Sequence, residues 1–167
     1  KRFKNYVKEE KEGMVKAAYS AYRERSLGLG AMGFHAFLQS KNLPFQGLQS
    51  TSNNHIMFSH IKDRAVEATR RLAEERGEAP DIHSSGHRNS HLLAVAPNAS
   101  SSIICGGTSP SIEPYRANIY THKTLTGSYK VRNRHLEKLL KSKKKNTKEV
   151  LLLLRMEKFL TVTTKKN

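Results

Sequence analysis

The sequence predicts an α/β fold, and three observations carry that reading. An apolar stripe at helical spacing runs through residues 54–76. A five-residue apolar run, Leu92-Leu93-Ala94-Val95-Ala96, stops at Pro97. Around these two, helix-like and strand-like stretches alternate along the chain instead of segregating into separate halves.

In order, residues 9–25 read as a helix: Val15, Ala18, Tyr19 and Tyr22 recur at helical spacing, with Lys, Arg and Glu on the other face. Ser26-Leu27-Gly28-Leu29-Gly30 reads as a short strand or strand-to-helix turn. Residues 31–40 form a second helix with Phe34, Phe37 and Leu38 on its apolar face, and Pro44 and Gly47 mark a loop. In the long helix, Phe58, Ile61, Ala65, Ala68 and Leu72 make one stripe, and Gly77 is placed to cap its end. Residues 78–91 are polar and loop-like. Residues 92–96 read as a buried strand of the kind found in parallel sheets. Pro97-Asn98-Ala99-Ser100-Ser101-Ser102 then turns into a helix with Ile103 and Ile104. Residues 106–114, rich in Gly, Ser, Thr and Pro, form a loop, residues 117–132 alternate as extended chain, and residues 135–140 open a short basic helix.

The length, 167 residues, is that of one domain. The apolar share of 37% is a little low for an independent globule and suits a piece of a larger body. Residue 1 is Lys, so the chain is expected to begin downstream of the translation start. Thirty Lys and Arg against 14 Asp and Glu give a formal charge of +16, which raises the alternative of a small basic nucleic-acid-binding protein. The excess is local, however: residues 123–167 hold 14 basic and 3 acidic side chains. The single cysteine, Cys105, excludes an internal disulfide and fits a reducing cytoplasm. No stretch approaches the ~20 apolar residues of a membrane span, and the charged N-terminus has no signal-peptide core.

Several motifs compete for chemistry. Gly28-Leu29-Gly30-Ala31-Met32-Gly33 matches the glycine pattern of dinucleotide sites, which would suggest an oxidoreductase. The ribose-binding acid expected about 20 residues on is missing, since the next acidic residue is Asp63, so close strand-to-helix packing is the favoured reading. His83, His87 and His91 have a metal-compatible spacing, but the Ser84-Ser85-Gly86 insert denies them a helix, and no metal is assigned. Cys105, beside two isoleucines, reads as a buried small hydrophobe. The strongest candidate is Pro97, Asn98, Ala99, Ser100, Ser101 and Ser102. A turn into a helix start presents free backbone N–H groups, the helix dipole adds partial positive charge, and hydroxyls add uncharged donors. A phosphate needs those groups. A simple serine-rich helix cap would use the same residues.

The stretch from Arg88-Asn89-Ser90-His91-Leu92 through Pro97-Asn98-Ala99-Ser100-Ser101-Ser102-Ile103-Ile104-Cys105-Gly106-Gly107-Thr108 to Ser111-Ile112-Glu113-Pro114 closely resembles a signature of the large subunit of class I ribonucleotide reductases. Arg25-Ser26-Leu27-Gly28-Leu29-Gly30-Ala31-Met32-Gly33-Phe34-His35, Leu72-Ala73-Glu74-Glu75-Arg76-Gly77 and Tyr115-Arg116-Ala117-Asn118-Ile119-Tyr120-Thr121 resemble further segments of that family, in the same order. The resemblance runs from about residue 12 to residue 149. It implies part of a ten-stranded α/β barrel over residues 1–149, in which residues 97–101 bind the diphosphate of a ribonucleotide substrate and the glycine motif is a packing turn. It implies reduction of ribonucleoside diphosphates to deoxyribonucleotides by radical chemistry, for DNA synthesis. The family's radical, proton-transfer and reducing residues have no counterpart here, so this chain supplies no catalytic residue and is expected to be inactive alone. The complete enzyme would need the rest of the large subunit, the dinuclear-metal radical centre of a small subunit, and a dithiol from thioredoxin or glutaredoxin. Residues 150–167, starting at the run Leu151-Leu152-Leu153-Leu154, are expected to depart from the family, as a frame change or split gene would cause. They lack a tryptophan-containing helix expected at that point.

Overall fold

The computed structural model describes residues 15–156. Its elements are α1 (Val15–Glu24), α2 (Phe34–Ser40), α3 (Leu48–Arg76), a 3-10 turn (Pro80–Ile82), α4 (Ala99–Ile104), β1 (Ile119–Thr124), β2 (Gly127–Arg132), α5 (Arg134–Ser142) and α6 (Lys148–Met156). The chain divides into two compact units. One comprises Lys1–Gly30 and His55–Ala96, the other Ala31–Asn54 and Pro97–Asn167.

In the first unit, residues 24–29 run parallel to residues 90–94. Ser90 N–H donates to Glu24 C=O (3.0 Å), Leu27 to His91 (2.9 Å), Leu29 to Leu92 (3.0 Å), and Ala94 back to Leu29 (3.1 Å). Leu29 and Leu93 form a parallel bridge. Residues 92–96 are therefore extended, as expected, but they are not buried: Leu92 and Leu93 are half-buried, and Val95 is 51% exposed. With one backbone neighbour among the described residues, this segment has no second sheet face to cover it.

Gly30 is dictated by that pairing. A Cβ there would lie 2.6 Å from the Ala94 carbonyl oxygen. The glycine motif is thus used for backbone approach, and it predicts a result. Gly30→Ala should lower stability by about 1–3 kcal/mol, the usual cost of forcing a methyl into packed backbone, read from urea unfolding. A nucleotide-binding role would instead leave stability unchanged.

Asn89 joins three segments of this unit. Its amide donates to Arg25 C=O (2.7 Å), its side-chain oxygen accepts from the Thr69 hydroxyl (2.9 Å), and its own N–H donates to that same hydroxyl oxygen (3.1 Å). Both Asn89 and Thr69 are buried. Helix α3 stops at Gly77, whose N–H closes on Ala73 C=O at 2.7 Å. The Arg88 guanidinium reaches the last carbonyls, Arg76 at 2.5 Å and Gly77 at 2.8 Å. A cation there complements the negative end of the helix dipole.

Helix α3 begins at Leu48, six residues before its apolar stripe. The Ser50 hydroxyl donates to Pro44 C=O, and Thr51 N–H donates to Gly47 C=O (3.1 Å), so the loop starts the helix without an apolar signal.

The second unit is built on α2, whose Phe34, Ala36 and Leu38 are buried. Gly33, in the left-handed region at φ 87°, turns the chain into that helix. Residues 109–111 satisfy the amino end of α2: Gly33 N–H donates to Ser109 C=O (2.9 Å), Phe34 N–H to Ser111 C=O (3.3 Å) and Ala36 N–H to the Ser109 hydroxyl (3.1 Å). These three would otherwise be orphan donors of a helix start. Phe45 packs edge-on against Phe34 and His35.

β1 and β2 pair antiparallel from Ile119–Arg132 to Thr124–Gly127, with Leu125 fully exposed at the turn. The extended reading of residues 117–132 thus resolves into a hairpin. It is the one regular sheet among the described residues. Helix α5 follows Asn133, whose side-chain oxygen accepts from His135 N–H (3.1 Å) and Leu136 N–H (3.3 Å). Residues 148–156 form helix α6, so the run from Leu151, which shows no polar alternation in sequence, is helical. The expectation of extended chain around Leu160 and Val162 lies outside the described residues.

Candidate functional site

The candidate turn leaves Pro97 exposed and then reverses at Asn98, which sits in the left-handed region at φ 51°, ψ 29°. Helix α4 starts at Ala99, and its first closed turn is the bond from Ser102 N–H to Asn98 C=O (2.9 Å). The N–H groups of Ala99, Ser100 and Ser101 precede that turn and donate to nothing among the described residues. Ala99, Ser100 and Ser101 are exposed. Three amides and two hydroxyls therefore face outward at one helix start, and no acidic side chain lies in α4 to oppose an anion.

The third serine differs. Ser102 is buried, and its hydroxyl donates to Ala99 C=O at 2.8 Å. It braces the turn from inside, whereas Ser100 and Ser101 carry the exposed hydroxyls. Cys105, expected to be buried, is exposed. Its neighbours Ile103 and Ile104 are exposed too, at 45% and 85%, so the apolar context that suggested burial is itself on the surface. His83 and His87 lie in the loop after the 3-10 turn, and the His91 ring lies against the Ser26 and Ser90 hydroxyls. No three His, Cys, Asp or Glu side chains converge on a metal-sized site among the described residues.

The far end of α4 is tied back into the second unit. Thr108 N–H donates to Ser102 C=O (3.1 Å), the Tyr115 hydroxyl to Gly107 C=O (3.2 Å), and Tyr115 N–H to the His35 ring at Nδ1 (3.0 Å). Burial pushes the Tyr115 phenol up, which keeps it a neutral donor. Burial, and then the nearby His135, lowers the His35 imidazole to about 4. His135 is itself lowered, by burial first and then by Arg134 and Lys138.

The His35 shift has a definite sign in stability. Its ring accepts a proton near 6.5 in the unfolded chain and only near 4 in the folded one. Between those values the unfolded state binds more protons, so stability rises with pH. Thermal midpoints by circular dichroism should be highest above pH 6.5 and fall as pH is lowered toward 4. His35→Gln should flatten that slope. An unchanged slope in the variant would assign it to other groups.

The structure also brings together residues that sequence reading passed over. Asn133 donates through its amide to Gln39 Oε1 (3.0 Å) and Asn118 Oδ1 (3.2 Å) while capping α5. An asparagine before a helix is a readable cap signal. The pairing of Asn89 with Thr69 has no local signal.

The model of the ribonucleotide reductase barrel domain matches residues 3–82 and 79–164, and the chain belongs to that family. Its relatives include the ribonucleoside-diphosphate reductase large subunit of Invertebrate iridescent virus 3, 47% identical over 130 residues, which are 78% of this chain and 21% of that protein. A putative large subunit of Frog virus 3 is 49% identical over 136 residues, 81% of this chain and 24% of that protein. The solved alpha subunit of the Actinobacillus ureae class Id ribonucleotide reductase superposes with a TM-score of 0.80 at 30% identity, covering 98% of this chain and 30% of that one. The chain thus spans between a fifth and a quarter of the length of these viral relatives.

Proposed function

We propose that this chain is a segment of the large subunit of a ribonucleoside-diphosphate reductase, and that Pro97, Asn98, Ala99, Ser100 and Ser101 form the turn that receives the substrate's diphosphate. The observation that carries this is the set of three unpartnered amides at Ala99, Ser100 and Ser101, inside the family-matched region. The amides donate to phosphate oxygens, the Ser100 and Ser101 hydroxyls assist, and Ser102 braces the turn from inside. Residues 26–30 and 92–96 are then two neighbouring parallel strands of a ten-stranded barrel, a reading supported by their Leu29–Leu93 bridge.

The radical that starts the family's reaction comes from a dinuclear metal centre. Among the described residues no His, Cys, Asp or Glu cluster is fit to hold one; the family resemblance assigns that centre to a small subunit, and no step is routed through this chain. The re-reducing dithiol would come from thioredoxin or glutaredoxin. Among the described residues, no helix is long and apolar enough to cross a membrane.

The direct test is an assay of the purified 167-residue chain with a small subunit, a dithiol and ribonucleoside diphosphate. No turnover is expected, because Cys105 is the only thiol and lies on the surface. Turnover should appear when the remaining large-subunit segments are added. Turnover by this chain and the small subunit alone would overturn the assignment of the chemistry to other segments.

A further inference from the structure

A second cluster of anion-binding chemistry lies away from the turn, within the same unit. A cleft of about 450 Å³ opens between the end of α2 and one face of α5. Gln39, Ser40 and Asn42 line one side, and Arg134, His135, Lys138 and Ser142 the other. A cleft of this size holds a small molecule and not merely a water.

Its charge is one-sided. Arg134 and Lys138 are four apart on α5, so their side chains stand on one helix face, about 5–6 Å apart at Cβ. Neither lies within ion-pair distance of a carboxylate among the described residues. The acidic side chain of this helix, Glu137, faces away, toward Lys141 at 3.4 Å and Arg132 at 3.9 Å. No carboxylate lines the cleft. Burial first, and then the charges of Arg134 and Lys138, hold His135 toward its neutral form. His135 Nε2 is buried and has no hydrogen-bond partner. On the opposite wall, Gln39 spends its carbonyl oxygen on Asn133, which leaves its NH2 donors for a ligand.

We propose that this cleft is an anion site in which Arg134 and Lys138 take the phosphate groups of a small phosphorylated molecule, with Gln39 and Asn42 as neutral donors. Arginine supplies a planar two-pronged donor and lysine a compact charge, a pairing suited to phosphate oxygens in more than one direction. The site is separate from the turn at residues 97–101 and does not depend on the reading of that turn.

The test titrates inorganic pyrophosphate into the 167-residue chain carrying Ser101→Asp, which removes the turn as a competing site. Calorimetry should show saturable binding, and backbone NMR should show shifts at Ser40, Asn42 and His135. The double variant R134Q/K138Q, altered only at surface cations, should weaken affinity at least tenfold. K141Q, which removes one cation from the Glu137 side of the same helix, should change it less than twofold. Inorganic phosphate and ADP are run alongside. Binding of ADP tighter than pyrophosphate identifies a nucleotide as the source of the phosphates, and equal binding identifies the bare phosphate ion. Circular dichroism confirms that each variant keeps its helices. Absence of saturable binding would overturn the proposal. So would K141Q weakening affinity as much as R134Q/K138Q does, because that outcome assigns the attraction to diffuse charge.

Discussion

In a reconstituted large subunit, replacing Ser101 by Asp should lower the affinity for ribonucleoside diphosphate by on the order of a hundredfold. The carboxylate would stand at an exposed helix start, beside the free amides of Ala99, Ser100 and Ser101. At about 4 Å from a phosphate charge it would cost between about 1 kcal/mol in bulk water and about 4 kcal/mol near a protein surface, and each 1.4 kcal/mol is about tenfold in affinity. Ser100→Ala and Ser101→Ala should be milder, about tenfold each, because each removes one assisting hydroxyl, about 1.5 kcal/mol. Ala99→Pro should fall between. Proline is tolerated at the first position of a helix, but it removes one of the three amide donors and disfavours the left-handed conformation of Asn98 before it. Equilibrium binding of a ribonucleoside diphosphate is the readout. A Ser101→Asp subunit that binds as tightly as the parent would leave the turn as a helix cap and nothing more.

The largest effect on stability is expected at Asn133. Asn133→Ala removes the cap of α5, worth about 1 kcal/mol. It also strands the buried Asn118 side chain and the Gln39 oxygen that its amide now satisfies. Leaving a buried polar group unpaired costs about 1–3 kcal/mol. The combined loss should be about 2–4 kcal/mol in urea unfolding. Asn133→Asp keeps the cap acceptor and loses the donor, so it should recover roughly the cap's share. Equal losses in the two variants would mean that the cap contributes nothing.

Sequence alone revealed what depends on neighbours along the chain. The stripe of α3, its stop at Gly77, the glycine-rich entry to α2 and the serine turn are all local patterns, and all take the places expected of them. The start of α3 escaped because Leu48 to Asn53 are mostly polar, and the helix is begun by loop carbonyls at Pro44 and Gly47. Helix α6 could not be fixed in advance, because consecutive leucines show no period. Cys105 misled because adjacent isoleucines imply burial only when another surface covers them, and the described residues offer none. Hydrogen bonds linking residues 20 or more apart, such as Asn89 to Thr69 or Tyr115 to His35, leave no trace in local pattern. The turn was legible as chemistry, but the division between outward Ser100 and Ser101 and inward Ser102 was not, because three identical residues differ only by helical phase.

The loop at residues 107–115 grips two helices at once. It takes the carbonyl of Ser102 in α4, and it caps the amino end of α2 through Ser109 and Ser111. An anion seated on the first turn of α4 therefore restrains a segment whose opening would also uncover Gly33, Phe34 and Ala36. The protons on those three amides should trade with solvent deuterium more slowly once the turn is occupied, although none of them touches the ligand.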